Sequence, residues 1–168
     1  MTHPLVAQLR FTRNEFMRSV AGVNDEDAGR RLLPMNSLGW NVGHLAWHEQ
    51  RALVTFTRKT VVMPDLNTLF ANGAPACTPA LSGMVSAWRA ITAEADIWLD
   101  AVTTEGLLAT FERPGGRGPT NYGNILQRVV YHYWYHTGEN MAIRQQLGHA
   151  GLPDFVGNID GEASFYAG

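Results

Sequence analysis

Residues 121–149, NYGNILQRVVYHYWYHTGENMAIRQQLGH, decide the fold that we predict for this chain. The stretch has no proline, follows Thr120, whose side chain can cap a helix, and ends at a glycine-containing segment with Pro153 just beyond. Six of its residues recur at helical spacing and share one face: Ile125, Val129, His132, His136, Ile143 and Leu147. The pattern predicts a long helix with two imidazoles, one turn apart, on the face toward a core. Because a buried imidazole needs a hydrogen bond, a charge or a metal ion, His132 and His136 are the first candidate site.

One long helix and one short helical turn are predicted at the start of the chain. Residues 4–20 carry inward apolar side chains at helical spacing, although Arg13 interrupts the stripe. Residues 24–33 begin with acidic side chains, which favour a helix start, and Pro34 is expected to stop that turn.

The second long helix is predicted over residues 35–60, with Asn36 or Ser37 as its cap. Gly39 and Gly43 each lower the helix propensity by about 1 kcal/mol relative to alanine. A helix that tolerates both near its start is expected to pack closely against a neighbour.

A connector of irregular structure is predicted over residues 61–78, which contain prolines, an Asn-Gly pair and Cys77. Thr78 and Pro79 are expected to open the third long helix as cap and first helical residue. The apolar residues of that helix follow a heptad-like seam: Leu81, Val85, Trp88, Ala95, Leu99 and Val102. Residues 111–120 are interpreted as a glycine- and proline-rich turn.

These elements predict an all-α chain, a four-helix bundle of the up-down type with the long connector between helices 2 and 3. No convincing strand pattern is present. We expect residues 1–168 to form a single domain, with residues 150–168 as a C-terminal strap on its surface.

Composition excludes several classes of function. The net charge is −2 and no cluster of Lys and Arg occurs, so nucleic-acid or anionic-membrane binding through a basic face is not expected. The start of the chain lacks a signal pattern, and no apolar run approaches the ~20 residues that span a bilayer. The one cysteine, Cys77, rules out an internal disulfide. These features favour a cytoplasmic protein.

A second pair of histidines, His44 and His48, lies four residues apart on the second predicted helix. Imidazoles at this spacing share a helix face and can bind one metal ion. Three protein ligands with one open position are typical of catalytic zinc, whereas four would close the shell around a structural ion. We favour three, since His48 shares its turn with charged residues. Tyr133 stands where a zinc protease would carry glutamate, so the HExxH motif is absent.

Several neighbours are candidates for supporting roles. Glu139 and Asn140 lie one turn past His136, where they could orient an imidazole. Arg51 is a candidate anchor for an anionic substrate group. The aromatic residues 131 and 133–135 are interpreted as packing, with tyrosine hydroxyls as candidate aids to proton transfer. His3 and His149 are expected to be surface or capping residues.

Three segments resemble the DinB-like superfamily of metal-binding four-helix bundles: SLGWNVGHLAWHEQR, YHYWYHTGENMAIRQQLGH and GLPDF. The resemblance extends over nearly the whole chain in order and is most specific at GHLAWHE and HxxxHTGE. It implies a metal triad of His44, His132 and His136, with His48 at a position that varies. Glutamine is common in the family where this chain has Glu139.

The resemblance also implies an activity. Characterised members use a divalent ion, zinc or nickel, to activate a low-molecular-weight thiol; they include bacillithiol transferases and mycothiol-dependent maleylpyruvate isomerase, and many are dimers. We therefore expect a metal-dependent homodimer that transfers a thiol to a small electrophile or isomerises one. Two alternatives remain: a hydrolase that uses a metal-bound hydroxide, and a non-enzymatic, metal-stabilised dimerising module.

Overall fold

The computed structural model describes residues 2–112 and 118–165, which form helices and one two-stranded sheet. The elements are α1 (Pro4–Val20), α2 (Asp25–Gly29), α3 (Leu38–Glu49), a π-helical segment (Gln50–Thr55), α4 (Phe56–Arg58), α5 (Leu66–Leu69), α6 (Leu81–Leu99), α7 (Thr104–Leu108), β1 (Thr110–Glu112), β2 (Pro119–Asn121), α8 (Tyr122–Gln146) and α9 (Ile159–Glu162). The predicted all-α class is confirmed. In the helical core, α1 packs on α8 and α3 packs on α6.

Helices α1 and α8 match their predicted ranges closely, but one predicted cap is wrong. The side chain of Asn121, and not that of Thr120, caps α8 by accepting a hydrogen bond from the amide of Asn124. Thr120 lies in β2, opposite Phe111 of β1. At the other end Gly148 has a φ of 78°, a left-handed conformation that suits glycine and stops the helix.

The short helix α2 ends at Gly29, four residues before the predicted end at Leu33. Its start is as expected, because the side chain of Asn24 accepts the amide of Asp27. The backbone turns extended at Arg30, so the chain leaves the helix before it reaches the proline.

The second long helix is interrupted in a way that the sequence did not indicate. Ser37 caps α3, as one of the two predicted candidates. Residues Gln50–Thr55 then adopt a π-helical conformation before α4 completes the helix, and Lys59 ends it with a φ of 58°. Such π-helical insertions often occur at functional sites, and this one begins two residues after His48.

Both early glycines of α3 lie at close contacts, as predicted. A Cβ added to Gly39 would lie 2.4 Å from the carbonyl oxygen of Pro79. One added to Gly43 would lie 2.6 Å from the ring of Phe70 and 2.8 Å from the sulfur of Met84. The absence of side chains at these positions therefore lets the connector and α6 lie directly against α3.

The third long helix begins at Leu81, two residues after the predicted start at Pro79. Its cap comes from elsewhere in the chain, because the carboxylate of Asp25 accepts both the amide and the hydroxyl of Ser82. The connector that precedes it is mostly irregular, as predicted, but contains the single turn of α5.

Strands β1 and β2 are short and antiparallel, and together with α7 they were not predicted. Each strand has only three residues, too few for an alternating pattern to show. The central part of the predicted turn over residues 111–120, residues 113–117, lies outside the described residues.

Arg13 interrupts the apolar stripe of α1 because it forms a buried ion pair with Glu49 of α3. The hydroxyl of Tyr133 donates to the same carboxylate at 2.5 Å and accepts from the indole of Trp88 at 2.6 Å. Burial raises the pKa of Tyr133, and the adjacent carboxylate raises it further, so the phenol stays protonated. The four long helices are thus joined by one polar network inside the core.

The last described residues lie along α1. The amide of Gly157 donates to Glu15 at 2.7 Å, and the side chain of Gln8 donates to the carbonyl of Ala163 at 2.8 Å. Residues 166–168 of the predicted strap are outside the described part of the chain. None of the helices described combines the length and the apolar character needed to cross a membrane.

Candidate metal centre

Three histidines converge between α3 and α8. His44 comes from the middle of α3, while His132 and His136 lie one turn apart on α8. One ring nitrogen of each lies within 4.8 Å of one from each of the others, so the three could hold a metal ion. The Nε2 atoms of His132 and His136 are 3.1 Å apart. This distance suits two nitrogens that bind the same ion, each at about 2.0–2.1 Å from it.

Two of the three imidazoles are oriented by oxygen acceptors that contact their Nδ1 atoms. Nδ1 of His44 lies 2.7 Å from the carbonyl oxygen of Phe70, and Nδ1 of His136 lies 2.7 Å from a carboxylate oxygen of Glu139. Because neither oxygen can donate, each Nδ1 carries the proton and Nε2 keeps its lone pair. The third ring, His132, has a buried Nδ1 with no hydrogen-bond partner. For His44 and His136, the lone pair needed for metal binding is therefore on Nε2.

Burial keeps two of the three rings, His44 and His132, neutral. Burial lowers the pKa of His44 to about 4, despite the opposing effect of the Phe70 carbonyl. Burial and the neighbouring histidines lower the pKa of His132 to about 2. For Glu139, burial alone would raise the pKa, but the hydrogen bond and the charge of His136 outweigh it and lower the pKa. At neutral pH His44 and His132 are thus uncharged, and a carboxylate lies beside His136.

The rings around His44 fix its position. Trp40 stacks on it with 4.6 Å between ring centres and 11° between planes, and Trp47 lies 5.3 Å away. The missing side chain at Gly43 lets Phe70 approach closely enough for its carbonyl to accept from the imidazole. The position of His44 on α3 and its contacts with these rings together orient its imidazole toward α8.

His48 lies beside the three histidines without joining the group that could hold an ion. Its ring centre is 4.3 Å from that of His132, and its Nδ1 is buried without a partner. Burial lowers the pKa of His48 to about 3, with further contributions from His44 and from the charges of Arg51 and Arg128.

An open cleft of about 880 Å³ runs along the outer side of this site. Its lining comes from the second long helix, Asn72, β2 and α8: His48, Arg51, Ala52, Phe56, Asn72, Pro119, Thr120, Asn124, Ile125, Gln127, Arg128, Tyr131, His132 and Tyr135. Tyr131 and Tyr135 are 68% and 71% exposed, whereas Tyr133 is fully buried in the core. In this aromatic run, Tyr133 therefore packs in the core, and Tyr131 and Tyr135 line the cleft.

The remaining predicted site residues fall in different places. Arg51 lines the cleft, and Glu139 contacts His136. Asn140 instead accepts from Asn41 at 2.9 Å and donates to Ser19 at 2.9 Å, and no described hydrogen bond joins it to an imidazole. His3 caps α1, as expected of a capping residue.

Sequence reasoning missed two contributors to the site. Arg128 lies one turn before His132, so its helical spacing could have indicated a place on the cleft side of α8. The carbonyl of Phe70 had no such signal, because every residue carries the same main-chain acceptor.

Comparison with known protein families gives one match. The sequence model described as the DinB superfamily matches residues 8–139, a range that includes all three converging histidines and ends at Glu139. No curated protein matches the chain.

Proposed function

Since this chain belongs to the DinB superfamily, we propose that it is a divalent-metal-dependent enzyme that activates a low-molecular-weight thiol. The thiol is transferred to a small electrophile or drives its isomerisation. His44, His132 and His136 hold the ion, which we propose to be zinc or nickel, since imidazole ligands suit both. The expected homodimer and cytoplasmic location belong to the same proposal.

The observation that carries the proposal is the convergence of three imidazoles next to an open cleft. Three protein ligands with a free position are typical of a catalytic ion, whereas a structural ion is enclosed by four. The cleft reaches His132, so a small molecule can approach the cluster from that side. A closed structural site would not need such access.

The protein's own groups perform the orienting work. Phe70 and Glu139 hold the Nδ1 protons of His44 and His136, so both rings present Nε2 inward. Trp40 and Trp47 cover one side of His44 and limit the access of water from α3. When bound here, a divalent ion would lower the pKa of a coordinated thiol and hold the thiolate toward an electrophile.

The first test is the metal content of the purified protein and of His132→Ala. We expect about one ion per wild-type chain and a large loss in the variant. His149→Ala, which removes an imidazole outside the cluster, is the matched control and should keep its metal. Full metal content in His132→Ala would refute the proposed site.

A second variant tests the number of ligands. His48→Ala should retain the ion if three histidines hold it, and loss of the ion would indicate a closed four-histidine shell. The activity of the metal-loaded protein is then measured with thiols plus small electrophiles, and separately with esters and amides. Thiol-dependent turnover supports the proposal, turnover of esters or amides alone supports the hydrolase, and turnover of neither supports the structural module.

A further inference from the structure

The charges around the cleft are one-sided. Among the described residues, its lining includes two arginines, Arg51 and Arg128, and no aspartate or glutamate. The chain as a whole has more acidic than basic residues, with a net charge of −2. The cleft is therefore positively charged, whereas the chain as a whole is negatively charged. An open site with a positive field attracts anions.

Neither arginine is paired with a carboxylate. The ion pairs in the described part of the chain include those of Arg10, Arg13, Arg18, Arg30 and Arg58. Within that same part, no ion pair or side-chain hydrogen bond involves Arg51 or Arg128. Two positive charges thus face one cleft with no negative partner among the residues described there.

The contacts of Arg51 leave its hydrogen-bonding edge for a ligand. Its guanidinium carbon lies 5.7 Å from the ring centre of Trp47 and 5.8 Å from that of Phe56. Such contacts use the planar face of the guanidinium and leave its N–H groups available. A planar carboxylate has two oxygens that can pair with two N–H groups of that edge.

Both arginines lie close in sequence to histidines that line the cleft beside the proposed metal centre. Arg51 follows His48 by three residues, and Arg128 precedes His132 by four. They belong to different elements, the π-helical segment and α8. An anionic group between them would hold the rest of the molecule against the cleft side of His132.

The rest of the lining suits an uncharged, partly apolar body. Phe56 and Ile125 supply apolar surface, and the exposed rings of Tyr131 and Tyr135 offer faces for stacking. Aromatic and apolar side chains of this kind are typical of the lining of small-molecule sites.

We propose that the substrate of this site is a small carboxylate with an aromatic or apolar body, whose carboxylate is bound between Arg51 and Arg128. That this carboxylate is a substrate rests on the proposed function. Binding of the anion by the two arginines does not require the metal. Tyr131 and Tyr135 cover the body, and the reacting end lies toward His132.

The test is direct binding of three probes of matched shape: benzoate, neutral benzamide and phenyl phosphate. Binding is measured by ligand-observed NMR or calorimetry with the full chain, both metal-loaded and metal-stripped. We expect benzoate to bind at least about tenfold more tightly than benzamide in both states. Arg51→Gln and Arg128→Gln should each weaken benzoate binding by about tenfold or more and leave benzamide unchanged.

Arg89→Gln is the matched control, because Arg89 is an exposed arginine of α6 outside the cleft lining. Equal binding of benzoate and benzamide, or equal effects of the three arginine variants, would overturn the proposal. Tighter binding of phenyl phosphate than of benzoate would overturn its choice of a carboxylate. Benzoate binding that disappears with the metal would show that the ion, and not the arginines, binds the anion.

The outcome is separable from that of the proposed function. Selective benzoate binding in the metal-stripped protein, without thiol-dependent turnover, would support the anion site and refute the activity. Thiol-dependent turnover without preference for a carboxylate would do the reverse.

Discussion

The hydrogen bond between His136 and Glu139 offers a sharp test of the metal centre. The carboxylate oxygen lies 2.7 Å from Nδ1, and the side chain of Glu139 is 18% exposed, so solvent screens the contact little. Glu139→Gln keeps the length of the side chain and a carbonyl oxygen that can accept from Nδ1. It removes the negative charge and replaces the second oxygen with an NH2 group.

The size of the effect follows from that charge. A hydrogen bond to a charged group contributes about 1.5–3 kcal/mol, and a neutral one about 0.5–1.5 kcal/mol. The difference, about 1–1.5 kcal/mol, corresponds to roughly a tenfold change in a dissociation constant. The carboxylate makes the opposite nitrogen a better ligand, so its loss should weaken metal binding by about this factor.

The assay is competition for zinc and for nickel against a chromophoric chelator at neutral pH. Glu26→Gln, which neutralises an exposed carboxylate on α2, is the control for the loss of one charge. We expect the Glu139 variant to bind both ions about tenfold more weakly and the control to match the wild type. A dissociation constant of Glu139→Gln equal to that of the wild type would refute the reasoning.

Two further predictions concern stability. Gly39→Ala should lower the melting temperature, because the added Cβ would lie 2.4 Å from the carbonyl oxygen of Pro79 and overpacking costs about 1–3 kcal/mol. Gly138→Ala, with nothing within 4 Å of its Cβ, should raise the melting temperature through a gain of about 1 kcal/mol in helix propensity. In calorimetry, an unchanged or raised melting temperature of Gly39→Ala would contradict the first prediction, and a lowered one of Gly138→Ala the second. The metal-free protein should lose stability as the pH falls from about 6.5 toward 4. Burial lowers the pKa of His44 to about 4 in the folded protein. In the unfolded chain a histidine has a pKa of about 6.5 and takes up its proton first, so protonation favours unfolding. In urea titrations at several pH values, His44→Gln should reduce that loss, and an unchanged pH dependence would count against a buried neutral imidazole.

The parts of the fold that depend on local periodicity were predictable from the sequence. The spacing of apolar residues and histidines determined α8, and the same rule gave α1 within its observed bounds. Features that depend on distant partners were not predictable. The start of α6 depends on a carboxylate from α2, Asp25, and the burial of Arg13 depends on Glu49.

The candidate site divides in the same way. His132 and His136 were placed on one face by spacing alone, whereas the approach of His44 depends on how two helices pack. The π-helical segment that carries Arg51 has no sequence pattern of its own that we could identify. The metal-binding role of the three histidines remains a prediction.

The connector is held to the second long helix through its main chain. Gln50 donates to the carbonyl of Met63 at 3.0 Å and accepts from its amide at 2.7 Å, and His44 uses the carbonyl of Phe70. Main-chain groups are the same for every residue type except proline, whose nitrogen cannot donate. Substitutions of Met63, whose side chain is exposed, can therefore keep both bonds to Gln50, so mutational tolerance at residue 63 would give no measure of its part in holding the connector.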